Sequence, residues 1–84
     1  MITQEDYYKR AKEFADEYEE SPSQHIIGIM ASIMMTRDSF IMGGSFVQSI
    51  INNDLYGAIN TGDKECIKYL KLIVATKHNC HLKN

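Results

Sequence analysis

The sequence predicts an all-α fold, and three observations carry that expectation. Ala, Glu, Lys, Met and Ile fall in long uninterrupted blocks, which favour helix. Five Gly and a single Pro leave little turn chemistry for a sheet. Apolar residues recur at helical spacing between clusters of cap-forming residues. At 84 residues, 44% of them hydrophobic, the chain suits a single helical domain over 1–84. We expect a compact bundle of about four helices; so short a chain buries a modest core, and assembly as a homo-oligomer would enlarge it.

The first helix starts at Thr3, which caps it with Asp6 three positions on, and it runs to about Glu20. Tyr7, Ala11, Phe14, Ala15 and Tyr18 form its apolar face, while Glu13, Asp16, Glu17, Glu19 and Glu20 load the other side with negative charge. That charge sits near the C-terminal end of the macrodipole, where it is unfavourable, and calls for a basic neighbour such as the lysine-bearing last helix. Ser21-Pro22-Ser23-Gln24 reads as the second start, with Ser21 as N-cap, Pro22 at the first helical position and Gln24 reaching back. Ile26, Ile29, Met30, Ile33, Arg37 and Phe40 share one side of this second helix, and Gly28, Ala31, Ser32 and Ser39 make a narrower strip of small residues. A helix apolar on most of its circumference belongs at the centre of a bundle. Met30, Met34, Met35 and Met42 read as core filler.

Gly43-Gly44 closes the second helix, and Ser45 caps a third that carries Phe46, Val47, Ile50 and Ile51. Asn52-Asn53-Asp54 interrupts it, with Asn53 or Asp54 capping a short turn through Leu55, Ala58 and Ile59. After Thr61-Gly62-Asp63, a last helix capped by Thr61 or Asp63 runs to about Lys77, with Cys66, Ile67, Leu70, Ile73 and Val74 inward and Lys64, Lys68 and Lys71 opposite. The tail 78–84 is expected to fray.

Gly43 to Asp63, read as Gly-Gly-Ser-Phe-Val, then Asn-Asn-Asp-Leu, then Ala58 and Asp63, resembles a pattern of small uncharacterised bacteriophage and prophage proteins. The resemblance departs from that pattern at Thr61-Gly62 and at the C-terminus. It implies a phage-type origin and a compact helical fold, and it brings no catalytic residues with it.

The chemistry-bearing groups are sparse. Cys66 and Cys80 are too few for a disulfide framework and lack an evident activator. His78, Cys80 and His81 are metal-ligand types, but crowded into one tail they do not make a zinc site, so no metal and no cofactor is expected. Asp54 and Asp63 read as caps rather than as an acid–base pair, and Gly43-Gly44 lacks the Lys-Ser/Thr that completes a nucleotide-hydrolase loop. No catalytic residue is assigned.

Met1 is followed by Thr3-Gln4-Glu5-Asp6 rather than a secretory signal, and the apolar run Ile26–Met35 is too short to span a bilayer. We therefore expect no membrane association and a cytoplasmic location, in the host cell if phage-encoded. Charge is lopsided: residues 1–20 hold seven acids against three bases, and residues 64–84 hold five Lys against Glu65. The net charge of −2 opposes binding to duplex nucleic acid. The expected function is non-enzymatic and stoichiometric: inhibition of a host defence protein through Glu13, Asp16, Glu17, Glu19 and Glu20. One alternative is an oligomeric sponge that sequesters a phosphate-bearing signalling nucleotide with Lys64, Lys68, Lys71 and Tyr69. Another is a structural subunit that assembles through the strip of small residues.

Overall fold

The capping box at Thr3 forms as the sequence predicts: the Asp6 amide donates to Thr3 Oγ1 at 3.4 Å and the Thr3 amide to Asp6 Oδ2 at 2.8 Å. It opens α1 (Gln4–Glu17), the first of six helices that a computed structural model describes within residues 1–82. The others are α2 (Gln24–Arg37), α3 (Ser45–Ile51), α4 (Leu55–Thr61), α5 (Lys64–Lys68) and α6 (Leu70–Asn79). No strand occurs among the described residues, so the fold is all-α, with six helical segments where about four are expected.

α2 is the central element, packed against α1, α3 and α6. Ile26, Met30, Ala31, Ile33 and Met34 are fully enclosed, which accounts for a helix apolar around most of its circumference. Two of the small residues on α2 have close neighbours within the chain. Tyr8 of α1 lies over Gly28, and Ser32 closes on Gly43.

Local starts and stops differ from the sequence reading at four places. α2 begins at Gln24 with Ser23, not Ser21, at the N-cap, and α3 is capped by the Gly44 backbone rather than by Ser45. α1 and α2 end earlier than expected, at Glu17 and Arg37, whereas α3 ends at Ile51, where Asn52-Asn53-Asp54 interrupts it as expected. Each is closed by a left-handed residue that is not Gly: Glu19 (φ 58°), Ser39 (φ 60°) and Asn53 (φ 59°). The bonds are those of a Schellman motif in all three: Glu20 N–H to Ala15 O, Phe40 N–H to Met35 O and Asp54 N–H to Ser49 O span the outer pair, at 3.0, 2.8 and 2.8 Å.

The expected last helix is divided at Tyr69 into α5 and α6. The division turns a different face inward. Cys66 and Ile73 are buried as expected, but Leu72 and Thr76 join them while Ile67 and Val74 stay exposed. The end of the chain also departs from the expected frayed tail. α6 extends to Asn79, Cys80 is fully buried and Leu82 packs against the core; positions 83 and 84 lie outside the described residues.

Candidate functional site

Two buried-edge arginines tie that tail down. Arg37 Nη1 donates to the Cys80 and Lys77 carbonyls at 2.7 and 3.0 Å, so a cation sits where the α6 C-terminus is most negative. Asp38 balances it, with Arg37 Nε donating to Oδ1 at 2.9 Å and the Tyr7 hydroxyl donating to Oδ2 at 3.2 Å. Burial opposes the charge on Asp38, but the Arg37 bonds and field outweigh it and hold the carboxyl below its ordinary value. Arg10 Nε donates to the His81 carbonyl at 2.7 Å while its Nη1 pairs with Glu17 at 3.0 Å and Glu13 at 3.6 Å.

Those pairs bear on the predicted protein-binding row. Glu13 and Glu17 neutralise Arg10 from the same helix, and Asp16 meets Lys12 at 3.4 Å. Among the described residues, α1 itself thus supplies basic neighbours for this row, Arg10 and Lys12. Glu19 and Glu20 remain exposed beyond the end of α1.

The basic row is broken by Tyr69: Lys64 and Lys68 stand on α5, Lys71 on α6. All three are exposed. Tyr69, the expected stacking residue, is half-buried against the core with Lys68 Nζ 5.4 Å from its ring centre.

α4 presents the most conspicuous surface. Asp54 caps it, accepting from the Gly57 amide at 2.9 Å, and Ala58 is its one buried residue. Leu55, Tyr56 and Ile59 are 64%, 80% and 52% exposed. Beside them a cleft of about 190 Å³ runs between α3, α4 and α6, walled by Ile50, Leu55, Ala58, Leu70 and Val74, with Asn53 and Asp54 adding polar groups. An aliphatic or aromatic side chain fits such a cleft.

At the α4–α5 junction, Asp63 accepts from the Cys66 amide through Oδ1 at 2.8 Å and meets His25 Nε2 through Oδ2 at 2.8 Å. Hydrogen bonding to the Cys66 amide, then to His25, lowers the Asp63 pKa. Burial, reinforced by Asp63, pushes the Cys66 thiol up to about 11, and burial pushes Cys80 up to about 11 against the pull of Arg10 and Arg37. Both are protonated and shielded at neutral pH, which makes them poor nucleophiles. His78 and His81 are exposed while Cys80 is enclosed, so the tail's ligand-type residues do not converge.

Sequence reasoning offered Asp54 and Asp63 as caps and Cys66 as inward, but not the distant partners of Arg10, Arg37 and His25. Comparison with protein-family models, curated proteins and solved structures gives no match.

Proposed function

We propose that the protein acts by stoichiometric binding, occupying the surface of a bacterial host protein rather than turning over a substrate. The observation that supports this reading best is the exposure of Leu55, Tyr56 and Ile59 on α4 together with the adjoining α3–α4–α6 cleft, which Leu55 and Val74 help to line. Exposed aliphatic and aromatic side chains in one patch are the chemistry of a protein-contact surface. Three carboxylates of the acidic row, Glu13, Asp16 and Glu17, are engaged with Arg10 and Lys12. Contact with a partner therefore falls to the apolar face, and Glu19 and Glu20 contribute to encounter. The resemblance of Gly43–Asp63 to bacteriophage and prophage proteins supports a host target, a defence protein among them.

The test is native mass spectrometry of the protein expressed in bacterial cells. Wild type is expected to carry one protein partner in fixed ratio, and Leu55→Asp with Ile59→Asp to lose it while keeping the native circular dichroism. Charge reversal at Glu19 and Glu20 is expected to retain it. A bare monomer in the wild-type spectrum, or a partner indifferent to Leu55 and Ile59, overturns the reading.

One observation favours the nucleotide-sequestering alternative. Among the described residues Lys64, Lys68 and Lys71 are exposed with no carboxylate within ion-pair distance. That reading requires a bound nucleotide mass in the same spectrum, lost on replacing the three lysines by Ala.

A further inference from the structure

His25 and the Asp63–Cys66 pair come from segments 38 residues apart, yet one donor atom from each of the three side chains lies within 4.8 Å of the other two. We propose that His25, Asp63 and Cys66 form a three-ligand site for a borderline divalent metal, zinc being the physiological candidate.

The donor set supports this chemistry. Imidazole nitrogen, carboxylate oxygen and thiolate sulfur are all zinc ligands, and a sulfur donor discriminates against magnesium and calcium. Bond lengths of about 2.0–2.3 Å place tetrahedral ligand atoms roughly 3.3–3.8 Å apart. The 2.8 Å His25–Asp63 contact opens slightly to reach that spacing, and Sγ moves inward. Both adjustments are within rotamer reach of side chains whose backbones stay fixed at the α2 and α5 starts. Asp63 and a Cys66 thiolate supply two negative charges against the ion's two positive ones, so the loaded site is neutral.

The orientation is also favourable. Asp63 Oδ1 stays on the Cys66 amide, which fixes the carboxylate so that Oδ2 is directed at the metal position. The His25 and Asp63 side chains are 49% and 56% exposed, leaving an entry path and a fourth position for water, while Cys66 is 2% exposed at the floor. Metal binding displaces the thiol proton to solvent, which a coordinated cation makes favourable despite the burial. The ion would join the start of α2 to the start of α5.

The experiment is titration of the reduced full-length protein with Co²⁺ as a spectroscopic probe, followed by competition with Zn²⁺. The expected result is one equivalent bound with a thiolate-to-cobalt charge-transfer band, displaced by zinc. His25→Ala, at an exposed position that leaves the fold intact, is expected to weaken binding at least 10-fold. Cys66→Ser is expected to remove the charge-transfer band, and His78→Ala with His81→Ala to change neither. Absence of a saturable equivalent overturns the proposal. So does a band that persists in Cys66→Ser, or binding that depends on His78 and His81 instead. None of these outcomes depends on the partner face at Leu55 and Ile59, so the two proposals stand or fall separately.

Discussion

Three residues without glycine's freedom close three helices in the left-handed region: Glu19, Ser39 and Asn53. Asn tolerates that conformation, whereas Glu and Ser are held in it by the Schellman bonds around them. Glu19→Gly and Ser39→Gly are each expected to stabilise the protein by about 0.5–1 kcal/mol, seen as higher urea midpoints. For Glu19 the loss of a negative charge at the C-terminal end of α1 acts in the same direction. Asp38 sets a pH dependence. Its folded pKa lies below its ordinary value of 3.8, so its contribution to stability is present above that value and is lost as pH falls through the lower folded value. Urea midpoints are expected to hold between about pH 7 and pH 5 and to fall below about pH 4, and Asp38→Asn is expected to flatten that acid limb.

At the scale of elements, the glycines govern spacing rather than backbone handedness, since none has positive φ. A Cβ on Gly62 would stand 2.8 Å from the Phe46 ring and 3.0 Å from the Ala58 carbonyl, where α3 and the end of α4 meet. A Cβ on Gly28 would rest 3.6 Å from the Tyr8 ring, an ordinary contact. Gly62→Ala is therefore expected to cost about 1–3 kcal/mol by forcing α4 off α3. Gly28→Ala, in the interior of α2, is expected to gain about 0.5–1 kcal/mol. Thermal unfolding of the two variants reads the opposite signs directly.

For the whole molecule, the arginines convert a chain end into part of the core. Cys80 is fully buried with Arg37 on its carbonyl, and Arg10 holds the next residue's carbonyl from α1. Arg37→Met removes the donors from the α6 terminus and leaves Asp38 without its balancing charge; a loss of about 2 kcal/mol is expected. Because the α6 terminus is released first, the Cys80 thiol is expected to react with a thiol reagent under native conditions in Arg37→Met and to stay protected in wild type. Equal protection in both proteins would show that apolar packing alone seats the tail. A chain of 84 residues has little core to spare, so leaving Leu55, Tyr56 and Ile59 in water carries a cost that the proposed partner would remove.

The amino-acid order by itself determined the helical class, the centrality of α2 and the cap at Thr3, and it narrowed the later caps to Asn53 or Asp54 and Thr61 or Asp63, because periodicity and capping act over three or four residues. It misplaced the start of α2, because Ser21 and Ser23 offer rival caps on either side of Pro22, and a local pattern does not choose between them. Tertiary structure alone decided the break at Tyr69, where no Gly or Pro interrupts the sequence and the core turns Leu72 and Thr76 inward instead of Ile67 and Val74. It alone brought Arg37 to Cys80, 43 residues away, and His25 to Asp63, 38 away. Bonds of that span leave no period in a sequence: they depend on how α2 crosses the elements on either side of it, which is fixed only when side chains from all of them pack together.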